Sequence, residues 1–509
     1  MFGVLGKTVS CMMGCLEIES PRSPAECGGE GLREQGILNA WVPFRPSKGD
    51  WERVTRKHMA EITPFRGWLY NLDRLGEAAP LMAPPYDVIS PAEQEALYEA
   101  SPHNVIRLIL GKKKTGDSDW DNRYTRAADT LKRWVGSDIL VRSASPCLYI
   151  TSQTYDPGDG SGVKTRWGVI ALVRIEDEDS GVILPHERTF SAHRDDRLRL
   201  MRATAAQFSP IFALYEDPEN KVLGGVRNVL QEPPVLSFRY RDGCEHRMWV
   251  VDDPAICAQV ADSMRDRGLL IADGHHRYET SRNYRNLMRA RFGMRPSDRS
   301  FEFTAMYLSN MADPGLTVLP SHRLVRGPED GPPLSLPENV KQWFDVRPLP
   351  WTLSEARTRV PDLRHLIAEA GQDTVAFAYY GHDNPNGSLL RLRPGMAREM
   401  GEDLHASLRK LDVLVLSRLV FQNSLGFSRE ELDNENRFHY ESDLEKALTM
   451  VAEGETDMAF LLNPTRIEHV REVAANRLIM PRKSTYFFPK VLTGLVFTRM
   501  DPHEHIQHP

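Results

Sequence analysis

Residues 269–285 read LLIADGHHRYETSRNYR. Four apolar residues run into Asp273-Gly274, two histidines and an arginine. The apolar run predicts a buried strand ending at Ala272, and the residues after it predict a helix beginning near His276. Gly274 suits a tight turn or a close approach of a ligand to the backbone. The start of the helix presents amides and the positive end of a dipole, which favours an anion, phosphate above all. Arg277 adds a planar fork for phosphate oxygens. His275 and His276 donate hydrogen bonds or move protons near neutrality. Asp273 suits three tasks: orienting a histidine, accepting a proton or holding Mg²⁺. Two other readings stand beside this one. In the first, the histidines cap the helix and Arg277 pairs with a carboxylate. In the second, Asp273, His275 and His276 bind Zn²⁺ with His186 or Glu187, although adjacent histidines do not easily aim at one ion.

Three further stretches carry chemistry. LPHERTFSAHRDDRLRLMRAT, 184–204, supplies Glu187 as a candidate general base, with Arg188, Thr189 and Arg202 as phosphate- or nucleotide-binding candidates. PPYDVIS, 84–90, is a stiff loop presenting Tyr86 and Asp87 to a substrate. MPRKSTYFFPK, 480–490, offers Lys483 and Ser484 for substrate binding, and places Thr485 and Lys490 where they could reach a phosphate. Each has a structural counterpart: a solvated charged loop, a packing loop, and aromatics that seat a last strand.

Around these stretches the pattern is mixed. Ser90, Pro91 and Glu93 predict a capped helix over 91–100. NVIRLIL, 104–110, reads as β-like. Residues 120–136 read as a helix with Ala127, Leu131 and Trp134 on one face. Hairpins are expected over 146–175 and 235–251, and another with Asn386-Gly387 at its tip. The fold class is therefore α+β. Residues 1–58 are expected to be disordered or a non-native extension, since Met59 opens what looks like a natural start. A phosphate-binding core is expected over 59–326, a Pro/Gly-rich linker over 327–338, a C-terminal α+β domain over 339–499 and a tail over 500–509.

The 509 residues carry a formal net charge of −6, so no bulk positive field draws the molecule to nucleic acid or an anionic membrane. Six cysteines without a Cys-x-x-Cys pair indicate neither a disulfide framework nor a zinc ribbon and fit a reducing cytoplasm. No apolar run is long enough to span a bilayer. The expected partner is a phosphorylated small metabolite or a nucleotide, with a homodimer left open.

The stretches MAEITPFRGWLYN, APPYDVISPAEQEALYEASPHNVIRLILG, VILPHERTFSAHRDDRLRLMRATAAQFSPIFALY, LLIADGHHRYETSRNYR, DPGLTVLPSHRLV and MPRKSTYFFPKVLTGLV together resemble the family catalogued as domain of unknown function 1015, over about 59–499. The Asp-Gly-His-x-Arg turn is also similar to the signature of the ParB/sulfiredoxin-like superfamily, which includes free serine kinases. That second resemblance implies a core in which His276 and Arg277 bind phosphate and Asp273 and Gly274 form the turn before them. Sulfiredoxin's catalytic cysteine has no counterpart, because position 275 is His. The resemblance implies phosphoryl transfer in serine metabolism, by a free serine kinase using ADP or ATP with Mg²⁺ on Asp273, or by a phosphoserine phosphatase. Catalysis would fall to Glu187, Asp273, His275 and His276. A nucleotide-binding sensor without turnover and a metal-dependent hydrolase are the alternatives.

Overall fold

The computed structural model describes residues 60–508 except 188–190, 294–296, 329–330 and 435. The expectation for 1–58 and the candidates Arg188 and Thr189 therefore lie outside the described residues.

The architecture is α+β, built on one mixed sheet and one antiparallel sheet. The larger has nine strands: β1 (Ile62–Thr63), β2 (Leu148–Tyr155), β3 (Lys164–Arg174), β4 (Ile183–Leu184), β5 (Ile211–Tyr215), β6 (Leu236–Arg239), β7 (Glu245–Val251), β8 (Leu269–Asp273) and β9 (Phe303–Asn310). Their spatial order is β4-β8-β5-β9-β3-β2-β7-β6, with β1 beside β3. Pairing is parallel between β4 and β8 and between β5 and β9, and antiparallel elsewhere. Side chains along a strand alternate between faces. Ile170 and Leu172 of β3 accordingly join one buried cluster, and Val169, Ala171 and Val173 join another. Both faces are covered, so the central strands read as near-continuous apolar runs.

The second sheet holds β10 (His322–Val325), β11 (Phe344–Pro348), β12 (Ala376–Gly381), β13 (Asn384–Leu392), β14 (Phe438–Glu441) and β15 (Met458–Leu462), ordered β11-β13-β12-β15-β10-β14. The 327–338 stretch joins β10 to β11 within this second sheet, a turn of helix begins at its end, and Asp457 accepts the Gly327 and Leu334 amides there. From Met480 the chain returns to the first half. Residues 486–488 pair with 317–319, Thr498 with Gln207, and Phe497 bridges to Trp68. Residues 504–506 bond to Asp298 and Ser300, which ties the segment beyond 500 to the large sheet.

Local sequence explains most elements. Helix α1 (Pro91–Ala100) starts where Ser90 Oγ accepts the Glu93 amide at 3.2 Å. Residues 106–109 form a helical turn, α2 (Ile106–Ile109), and not the expected strand. Asn104 Oδ1 accepts the Ile106 amide at 2.8 Å, and that cap outweighs the β-branched preference of the run. Helix α3 (Arg123–Gly136) buries Ala127, Leu131 and Trp134 as one stripe. Leu131→Ala should cost about 2–5 kcal/mol in a urea titration, because the emptied volume lies in the main core.

The hairpin expected around Asn386-Gly387 differs from expectation. Its turn falls at His382-Asp383, with Gly381 opposite Asn384, and Asn386-Gly387 lies inside β13. Gly387 has φ +68°, and a Cβ there would come within 2.5 Å of the Tyr380 ring. The glycine thus serves a close approach and not a turn. Among the described residues no helix is long and apolar enough to cross a membrane.

Candidate functional site

Parallel pairing builds the site. Ile183 stands opposite Leu269 and Leu184 opposite Leu270. Three residues further along each chain come Glu187 and Asp273, so the register delivers both carboxylates to one end of the sheet. Helix α4 (Ser191–Thr204) follows Glu187, and helix α5 (His275–Phe292) follows Asp273. The returning segment closes the site from above: Met480 donates its amide to the His186 carbonyl, and Ser484 donates its amide to Glu187 Oε1 at 3.2 Å.

Asp273 is held by two cations. Lys490 Nζ donates to one oxygen and Arg277 Nη2 to the other, both at 2.6 Å. Burial opposes ionisation of this carboxyl, but Lys490 and then Arg277 outweigh it and hold it well below the usual carboxylate range. Burial likewise opposes the charge on Lys490, and Asp273 more than restores it. Lys490 also lies 4.6 Å above the Tyr486 ring. With both Asp273 oxygens engaged, Mg²⁺ could use this carboxylate only after displacing a cation. The Zn²⁺ alternative is not built either: among the described residues, no three of the donor groups of Asp273, His275, His276, His186 and Glu187 converge on one point.

Glu187 behaves differently. Burial pushes its carboxyl up to about 7; Lys490 pulls against that rise and Asp273 adds to it. Arg323, buried on β10, acts on Glu187 from the second sheet. Its guanidinium donates to Ser321 and to the carbonyls of Arg482 and Lys483 and pairs with no carboxylate within salt-bridge distance among the described residues. It thereby fixes the loop whose Ser484 amide holds Glu187.

His275 is buried, with its Nε2 accepting the His186 amide at 3.3 Å and its ring 4.7 Å from the His186 ring. That contact assigns its proton to Nδ1. Burial, then the neighbouring His186, hold it well below its ordinary value, so it is neutral. The Nε2 contact ties His275 to the segment that carries Glu187. His276 is half-buried on the first helical turn, whose N-cap is Gly274, a residue with no side chain of its own to cap it.

Arg277 also donates to the Pro210 carbonyl. It lines a hollow of about 50 Å³ with Tyr86, Arg197, Gln207, Ser209 and Thr280. Arg197 lies 4.1 Å over the Tyr86 ring. Burial, then Asp87, push the Tyr86 phenol up to about 12, while Arg197 and Arg277 pull against them. Asp87 itself is exposed. Gly274 has φ +93°, and a Cβ there would come within 2.8 Å of the Arg277 guanidinium. Gly274→Ala should therefore cost about 1–3 kcal/mol in a thermal melt and weaken phosphate binding by calorimetry, since it strains the turn and displaces the fork.

Other expected residues stand apart. Arg202 is exposed near the end of α4, while Arg197, on the face of Leu200, Met201 and Thr204, reaches the hollow instead. The helical spacing 197, 200, 201, 204 was the available signal for it. Lys483 is exposed, 5.7 Å from the Tyr440 ring. Ser484 is buried and its hydroxyl is spent on the Pro481 carbonyl at 2.6 Å, so what it offers the site is its amide. Arg323 carried no local signal, because only the tertiary fold brings β10 to Glu187.

A family model described as protein of unknown function (DUF1015) matches residues 62–468. No curated protein matches. Among solved structures, a free serine kinase variant in complex with AMP is 13% identical, with a TM-score of 0.31, covering 62% of this chain and 87% of its own. A conserved hypothetical protein from Pyrococcus furiosus is 13% identical with a TM-score of 0.30, covering 65% and 95%. SbnI from Staphylococcus aureus, truncated at its C-terminus, is 10% identical with a TM-score of 0.28, covering 67% and 87%. Likeness of that degree carries no inference about ligand or reaction.

Proposed function

The chain belongs to the DUF1015 family, to which no activity is attached, and from that footing we propose that the Glu187–Asp273 site binds a nucleotide or a phosphorylated metabolite and transfers a phosphoryl group, with serine or phosphoserine as the small substrate. The observation that carries the reading is one carboxylate poised near neutrality beside an ion cluster that keeps a net positive charge. Asp273, Lys490 and Arg277 sum to one positive charge, and Arg323 adds another. Glu187 titrates where a general base is most effective. The N-terminal end of α5 beside Arg277 suits phosphate oxygens.

In the kinase direction, Glu187 takes the proton of the substrate hydroxyl. The hydroxyl oxygen bonds to the transferring phosphorus as the bond from phosphorus to the nucleotide oxygen breaks. That bond's electron pair leaves with the nucleotide. In the phosphatase direction, water takes the place of the hydroxyl and serine leaves. Arg277 and the first amides of α5 offset the charge on the equatorial oxygens. A nucleotide would enlist Mg²⁺, which neutralises phosphate charge when bound. Asp273 could hold it on releasing Lys490 or Arg277. The choice of serine rests on the resemblance of the 273–277 turn to that of free serine kinases.

Purified protein supplied with serine plus ADP or ATP should form phosphoserine, or, supplied with phosphoserine alone, release phosphate. Silence in both assays removes serine from the proposal. The sensor reading gains support from one observation: Arg277 is held by Asp273 and the Pro210 carbonyl, so a phosphate that captured those N–H groups would rearrange the cluster. Calorimetry with CTP, ATP and ADP showing binding, together with absent turnover, would favour it.

A further inference from the structure

We propose that the turn of the β6–β7 hairpin holds a second site, a zinc-class divalent metal site built from Asp242, Cys244 and His246 and independent of the Glu187–Asp273 site. One donor atom from each residue lies within 4.8 Å of the others. Donors on one tetrahedral zinc stand about 3.5 Å apart, so a rotamer adjustment of roughly 1 Å closes the set. Cys244 and His246 are two apart where the hairpin enters β7, and this puts them on one face of the sheet. Asp242 sits in the turn, where one carboxylate oxygen accepts the Cys244 amide at 3.0 Å and fixes the carboxylate over the thiol.

The second observation concerns His246. Its side chain is buried, 3% exposed, and Nε2 has no hydrogen-bond partner. The ring is stacked on Phe238 at 5.1 Å and 10°, so its orientation is set without any polar contact. A histidine orphaned in this way normally finds a donor or acceptor. An ion drawing on the imidazole would supply one.

Charge is consistent with this ion class. Asp242 and Arg166 are the charged groups that act on Cys244, and Arg166 acts on His246. On binding, the S–H bond breaks, its proton goes to solvent and the sulfur pair bonds to the metal. The imidazole gives a lone pair, the carboxylate an oxygen, and water completes the tetrahedron. Thiolate and carboxylate cancel the ion's two charges, so the loaded site is neutral beside Arg166. Calcium and magnesium, which take oxygen ligands, do not match this N/S/O set.

Chelator-treated full-length protein titrated with Co²⁺ tests the site. One equivalent should release a proton and produce a near-ultraviolet thiolate-to-cobalt charge-transfer band and intense visible bands, and Zn²⁺ should bleach both as it displaces Co²⁺, with no further proton released. C244S should abolish the charge-transfer band. D242N, at an exposed position that leaves the core intact, should weaken Co²⁺ binding about tenfold or more. Absence of the band, or a band that survives C244S unchanged, overturns the proposal. Neither result bears on phosphoryl transfer.

Discussion

Glu187→Gln is expected to lower phosphoryl-transfer turnover by about 100- to 10,000-fold while leaving nucleotide affinity within about twofold. The substitution keeps the shape of the side chain and its acceptor for the Ser484 amide and removes only the group that takes the proton. The pH profile of phosphoryl transfer by the unsubstituted protein should rise up to about 7 and then level, because the base works only when ionised. Stability should move the other way. A carboxyl raised from its ordinary value to about 7 binds its proton more tightly folded than unfolded, so the folded state loses stability as pH climbs through that window. Glu187→Gln escapes that loss. In urea titrations it should exceed the parent at pH above about 7 by on the order of 3 kcal/mol, with the difference vanishing below about pH 4. Near-parental turnover would remove Glu187 from the mechanism.

Asp273→Ala is expected to destabilise the protein by about 3–5 kcal/mol, because it leaves Lys490 and Arg277 buried without a counter-charge. Lys490→Met should cost less, since Asp273 keeps Arg277. Adding Lys490→Met to Asp273→Ala should recover part of the loss, a coupling that a double-mutant cycle reads directly. The acid response follows from the depressed carboxyl. Its stabilisation is present above the ordinary carboxylate range, near pH 4, and is lost as pH falls through the lower folded value. The parent should therefore lose stability in acid more steeply than Asp273→Ala. A cost below about 1 kcal/mol would mean that the cluster is solvated and weakly coupled.

How far these features were legible depended on range. Ser90-Pro91-Glu93 and the Ala127/Leu131/Trp134 stripe were readable because their causes lie within a turn or two of chain. The 269–285 stretch was readable for the same reason, as strand, glycine turn and helix. Residues 104–110 misled because one buried Asn104 side chain decided between helix and strand. Asn386-Gly387 misled because a glycine needed for contact with Tyr380 looks, in sequence, like one needed for a turn. Within the site, Glu187 and Asp273 could be named from local pattern. Their adjacency could not, since it follows from the β4–β8 register across some 86 residues. The hold of Lys490 on Asp273 and the reach of Arg323 to Glu187 are longer-range still.

The return of residues 480–490 to the large sheet carries a consequence for biosynthesis. During translation the ribosome releases Glu187, Asp273 and Arg277 long before Lys490. Until that lysine emerges, Asp273 has lost one of its two cations and Glu187 lacks the Ser484 amide. A nascent or prematurely terminated polypeptide should thus accumulate as an inert species, and competence should switch on only once the final segment threads home.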